Sequence, residues 1–236
     1  MLRSLRFGEA DRVLHVYTPE RGRIGAVAKG IRKTKSRFGA RLEPLSHVEL
    51  LLHEGRGELS TVTGVDLVDP HRGAREDPYR LGVALVGAET VLRLFGEQEG
   101  HPRVFEALTR FLELVDDAPS RAPGRSAHDP LALAFQLKLL WLAGYLPHLE
   151  TCAECGRDTA LVGFSPRAGG AVCRACAPES LPLGEPTQRA IEAFLRRPLA
   201  DAQTVALSER SARETVAVLT ASYEYHGGFR LRTLSA

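Results

Sequence analysis

Apolar and polar positions alternate through the first 70 residues. Ile24, Ala26 and Ala28 trade places with Gly25, Val27 and Lys29, and the same period returns through Leu59, Thr61, Thr63 and Val65. A period of two belongs to a strand with one buried face. Val13–Thr18 is β-rich and ends at the turn Pro19-Glu20-Arg21-Gly22; Leu45–His53 ends at Glu54-Gly55-Arg56-Gly57-Glu58. With Leu2–Phe7 the pattern predicts about five strands. Five short antiparallel strands point to a small barrel of OB type, with an SH3-like barrel as the competing form.

After Asp69-Pro70 the period lengthens. From Tyr79 to Glu97, Leu81, Leu85, Ala88, Leu92 and Phe95 recur at helical spacing, and Phe105, Leu108 and Leu112 do so between Pro102 and Val115. Asp117 to Ser126 holds prolines, a glycine and small residues, the composition of a loop. Asp129-Pro130 then reads as an N-cap with proline in the first turn, opening a helix over Leu131–Ala143 that is apolar almost all round. Such a helix belongs at the centre of a bundle, and Gly144 and Pro147 end it. Pro186–Arg196 and a segment capped by Ser208 or Ser211, running to about Tyr225, supply two more helices. The expected class is α+β and multidomain: a barrel over residues 1–70, a helical bundle over 71–150 and 181–236, and an inserted module over 151–180.

That module contains every cysteine of the chain. Cys152-Ala153-Glu154-Cys155-Gly156 and Cys173-Arg174-Ala175-Cys176 are two Cys-x-x-Cys pairs with 17 residues between them. The spacing suits a closed tetrahedral site for one structural Zn2+, since a tight turn aims both sulfurs of a pair at one ion. Gly156 suits the positive φ that closes such a turn, and Gly169-Gly170 lets the chain reverse as in a zinc ribbon. Two disulfides, a redox pair and a catalytic zinc compete. The first needs an oxidising compartment, the second usually stands alone, and the third keeps one position open.

Composition changes the picture little. Apolar residues at 44% and charged residues at 25% are ordinary for a globular chain. The longest apolar run, Leu131 to Leu146, is broken by Gln136 and Lys138 and is too short for a bilayer. With no secretory signal apparent, a cytoplasmic location is expected. Charge changes it more. The net +2 hides 11 Lys and Arg against three acids in residues 1–41, a local balance of +8 that leaves −6 for the rest. Lys29, Arg32, Lys33, Lys35, Arg37 and Arg41 fall within 13 residues that carry no acid, beside Arg21 and Arg23. An exposed, flexible loop of this kind on a barrel predicts a phosphate-binding arm for nucleic acid, with Phe38 its one stacking ring. A solvated loop that touches nothing is the plainer reading. The nearest approach to a phosphate loop, Gly25-x4-Gly30, is followed by Ile31 where Lys is required, and no nucleophile elbow or His-Glu-x-x-His appears. The expectation is a binding protein that is not an enzyme and takes no nucleotide.

The order of several pieces resembles the RecO family of bacterial recombination mediators. They are Gly8-Glu9-Ala10-Asp11-Arg12, Pro19-Glu20-Arg21-Gly22, Ala28 to Arg37, and Leu137-x-Leu139-Leu140. Gly144-Tyr145-Leu146-Pro147-His148-Leu149 then runs into the first cysteine pair, and Tyr223-x-Tyr225-His226 followed by Leu231 completes the likeness. The resemblance implies an OB barrel, a helical bundle and a zinc ribbon. It further implies binding of single- and double-stranded DNA, annealing without ATP, and action with RecR to load recombinase onto DNA coated by single-strand-binding protein. A nucleoid-associated location follows from such work. The rival from another class is a zinc-stabilised adaptor whose basic loop binds an acidic protein.

Overall fold

The computed structural model describes residues 1–234 apart from Lys35, Arg37, Arg56, Glu58, Gln98 and Pro123. The expected five strands are present: β1 (Arg3–Phe7), β2 (Asp11–Thr18), β3 (Gly22–Ala28), β4 (His47–His53) and β5 (Ser60–Asp69). They form one sheet in the order β1-β2-β3-β5-β4. Its core is Leu14, Val16, Ile24, Ala26, Val62 and Val65, the inward members of the alternating pattern, together with Phe38 and Leu42.

Two features differ from five antiparallel strands closed into a barrel. The pairing of β3 with β5 is parallel, at Ala26–Ser60 and Val27–Thr61, because the chain crosses over through residues 29–46 and β4 before β5 returns. The sheet is also open, with β1 and β4 as its edges and no ladder joining them among the described residues. The two edges meet ahead of β1, where the Leu45 amide donates to the Met1 carbonyl at 2.9 Å and the Met1 ammonium donates to Ser46 O at 2.8 Å. β1 itself runs on against β2, mostly exposed.

The helices are α1 (Arg72–Glu76), α2 (Pro78–Leu94), α3 (Pro102–Asp117), α4 (Pro130–Leu142), α5 (Glu185–Arg196) and α6 (Glu209–Ser222). Asp129 caps α4 by accepting from the Leu131 amide at 2.8 Å, with Pro130 behind it as the sequence indicates. α4 is buried almost all round, although Trp141 at its end is 53% exposed. Its interruption in the apolar run, Gln136, is a fully buried junction. Its Oε1 accepts from Tyr223 Oη at 2.6 Å and Thr90 Oγ1 at 2.8 Å, while its Nε2 donates to Val86 O at 3.2 Å. A buried amide is tolerated when its partners are supplied, and these partners fix α2 and α6 against α4. The Phe111 and Phe135 rings stack at 4.1 Å between α3 and α4.

The inserted module is a three-stranded sheet, ordered β7-β6-β8, from β6 (Leu161–Ser165), β7 (Gly170–Cys173) and β8 (Leu181–Pro182). Phe164, Ala171 and Leu183 join the same apolar cluster as α4, so the module is packed into the bundle on one side. Leu2, Tyr17 and Leu45 join that cluster from the other end, which seats the N-terminal sheet on α2 and α3.

Candidate nucleic-acid interface and metal centre

One ligand atom from each of Cys152, Cys155, Cys173 and Cys176 lies within 4.8 Å of the others. All four thiols are free. Cys155 Sγ and Cys173 Sγ are 3.9 Å apart. Four thiolates at 2.3 Å from one tetrahedral ion stand about 3.8 Å from each other, so the donor set fits zinc. The first turn closes as its spacing requires: Gly156 has φ +72° and donates to Cys152 O at 2.7 Å. Cys173 ends β7 and Cys176 closes the 3-10 turn that follows it, and Gly170 lies so close to the His148 carbonyl that an added Cβ would sit 2.2 Å from its oxygen.

Electrostatics divide the thiols. The Cys173 amide donates to Cys152 Sγ at 3.3 Å and brings this thiol down to about 6. Arg157 Nε donates to Cys155 Sγ at 3.4 Å and lowers that group as well. Desolvation pushes Cys176 up to about 12. All four ionise together only with a cation between them.

The second candidate site is the basic end of the N-terminal sheet. Gly30 donates its amide to Asp11 Oδ1 at 2.7 Å, and Arg32 donates its amide to Ala10 O and its guanidinium to Glu9 O, each at 2.9 Å. The first half of the basic loop is therefore docked on the β1–β2 turn. Lys29, Arg32 and Lys33 are exposed there. The ladder adds a pair that composition alone did not single out, since Arg6 stands opposite Arg12 in the β1–β2 register. Directly opposed residues share a face. Arg12 reaches Glu43 at 3.7 Å, and Arg6 is exposed.

Other expected members are placed elsewhere. Arg21 pairs with Glu54 at 2.6 Å. Arg23 reaches across to Leu92 O and Glu97, so it joins sheet to bundle. Arg41 donates to Phe38 O and Val65 O, each at 3.1 Å. Phe38, expected to stack on bases, is 1% exposed in the sheet core and has no open face. The loop's far end is thus core rather than solvated arm. Phe7, at the docked end of β1, is 52% exposed and is the accessible ring of this region. Lys35 and Arg37 lie outside the described residues.

Comparison with known proteins now decides the family. Residues 1–71 match the family model described as Recombination protein O N terminal, and residues 75–235 match Recombination protein O C terminal. The chain belongs to the RecO family. It is 39% identical over 222 residues to the DNA repair protein RecO of Rubrobacter xylanophilus, covering 92% of this chain and 86% of that one. The RecO of Anaeromyxobacter sp. strain K is 36% identical over 240 residues, covering 98% and 91%. That of Streptomyces griseus is 35% identical over 243 residues, covering 99% and 94%. The RecO likeness thus spans sheet, bundle and cysteine module alike. Among the described residues no helix is long and apolar enough to cross a membrane.

Proposed function

We propose that this protein is a DNA-repair recombination mediator that binds single- and double-stranded DNA through the basic end of its N-terminal sheet. The observation that carries the reading is the docking of the loop on the β1–β2 turn, which gathers Lys29, Arg32 and Lys33 beside Arg6 on one exposed end. Cations at several points along such a surface neutralise successive phosphates, so recognition follows the backbone rather than sequence. A surface that takes either strand by its phosphates can bring complementary strands together without nucleotide hydrolysis. The RecO relationship supports the rest: action with RecR, recombinase loading onto DNA coated by single-strand-binding protein, and a cytoplasmic, nucleoid-associated place of work. The protein acts as a binder and not as an enzyme.

We further propose that Cys152, Cys155, Cys173 and Cys176 hold one structural Zn2+. The closed thiolate set leaves no position for substrate, so the ion supplies shape and no chemistry.

The test is a titration of labelled single-stranded oligonucleotide at several salt concentrations, for wild type and for Arg32→Glu with Lys33→Glu. Each lost phosphate contact flattens the slope of log K against log salt by about 0.7, so the double variant should lose roughly 1.4. An unchanged slope would remove DNA from this end of the sheet and favour an acidic protein as the loop's partner.

A further inference from the structure

A second cluster of ligand-type side chains lies where the sheet meets the helices. His71 sits between β5 and α1, and its side chain is 1% exposed. Neither ring nitrogen has a hydrogen-bond partner among the described residues. Leaving a buried polar group unpaired is costly, so such groups need an explanation. His71 Nδ1 faces Asp69 Oδ1 at 3.5 Å and Asp116 Oδ2 at 4.0 Å. One ligand atom from each of the three residues lies within 4.8 Å of the other two.

These gaps are too long for hydrogen bonds and suit atoms that share an ion. Donors about 2.1 Å from a tetrahedral metal stand roughly 3.4 Å apart. A protonated His71 paired with the two carboxylates would instead close to about 2.7–2.9 Å. Both carboxylates are aimed by backbone amides. Asp69 Oδ1 accepts from the His71 amide at 2.7 Å, and Asp116 Oδ1 accepts from the Ala74 amide at 2.6 Å, which leaves Asp116 Oδ2 toward the ring. His71 also holds φ +43° and ψ +57°, left-handed backbone that residues other than glycine seldom adopt. Strain of this kind persists where surroundings impose it, commonly at a ligand site. Neighbouring basic groups include His47, opposite Asp69 in the β4–β5 ladder, Arg75, which donates to Pro70 O at 3.4 Å, and Arg80, which donates to Asp116 O at 2.7 Å; none enters the cluster.

We propose that Asp69, His71 and Asp116 form a second metal site, separate from the cysteines. It would take a divalent transition ion on His71 Nδ1 and one oxygen of each carboxylate, with water completing the shell. Imidazole among oxygen donors favours ions such as manganese or zinc over magnesium or calcium. Asp69 ends β5, and Asp116 lies in the last turn of α3. An ion here would fasten the sheet's last strand to the bundle.

Mn2+ is the probe, because it prefers these donors to thiolates. The full chain, stripped of metal and given back one zinc per chain for the thiolates, is titrated with Mn2+ while the free-ion electron paramagnetic resonance signal is followed. Wild type should take up one Mn2+ per chain saturably. Asp116→Asn keeps an acceptor for the Ala74 amide, and His71→Asn suits left-handed backbone; each should weaken uptake roughly tenfold or more. If a variant fails to fold, paramagnetic broadening in the wild-type amide spectrum decides, and it should centre on residues 69–74 and 116. No saturable uptake, uptake indifferent to both variants, or broadening centred elsewhere overturns the site.

Discussion

In the cysteine module four donor atoms converge within 4.8 Å, and amides and turns hold them there. At the basic end of the sheet the cations are spread over two strands and a docked loop, with their heads in solvent. The first arrangement suits a small ion whose shell is closed, and removing any one ligand removes the site. The second suits a polymer with charge at every repeat, and removing one cation removes one contact among several. A steep response to single substitutions should therefore mark the first region and a graded response the second.

The largest expected effect tests the steep half. Cys173 is buried with Cys152 and Val172, so Cys173→Ser should lower bound zinc by about one per chain after gel filtration. Apparent binding energies of 10–16 kcal/mol in small zinc peptides, roughly, show how much folding such a site can carry. Here β6 and β7 also pack on the bundle, so the loss should appear as protease sensitivity within residues 152–176. DNA affinity at the sheet should persist. Zinc retained at the wild-type level would break the assignment.

Next come two phenylalanines that divide core from surface within the basic region. Phe38→Ala should cost about 3–5 kcal/mol in denaturant unfolding, because its ring fills the sheet core. Phe7→Ala should change stability by under about 0.5 kcal/mol, as expected of an exposed position. It should weaken single-strand binding by about 1 kcal/mol, through a lost stacking surface. The reverse pattern would exchange their roles.

That pair also shows where sequence reading stops. The strands, the five longer helices and the cysteine cluster follow from short-range signals: period, caps and Cys-x-x-Cys spacing. Ser208 caps α6, as one of the two serines considered. What was illegible depends on contacts distant in sequence. The parallel β3–β5 pairing needs the crossover, and the pinning of Arg23 needs the α2–α3 connection, 74 residues away at Glu97. Phe38 sits amid basic residues and looks solvated until the loop's return into the sheet core is seen. Arg6 and Arg12 become neighbours only through ladder register. His71 reads as a lone histidine until Asp116 arrives from the end of α3.

A smaller effect concerns how firmly α6 holds the start of α5. Glu214 on α6 accepts from the Gly184 amide at 2.9 Å, Thr187 Oγ1 at 2.5 Å and Arg210 Nε at 2.7 Å. Burial alone would raise its carboxyl, but the donors Thr187, Gly184 and Arg210 outweigh it and hold the group below the ordinary 4.5. A depressed folded value means stabilisation that is full above the unfolded value and lost as pH falls through the folded one. Glu214→Gln should therefore cost about 1–2 kcal/mol near neutral pH, with a deficit that closes below about pH 4.5. Thermal melts of both proteins across pH 3–7 measure this. A deficit constant at all pH would assign the loss to shape and not to charge.

The smallest effect is the sharpest test of a graded surface. Lys33→Gln removes one exposed cation and should flatten the salt slope of single-strand binding by about 0.7, with Kd at moderate salt rising only a few-fold. Arg174→Gln removes an equally exposed cation from the cysteine module and should leave the slope unchanged. The two substitutions alter net charge identically, so long-range attraction cannot distinguish them. Direct phosphate contact can, because only a contacting cation releases condensed counterions. Equal slopes in the two variants would mean that DNA feels the whole molecule's field, and the sheet's basic end would lose its special standing.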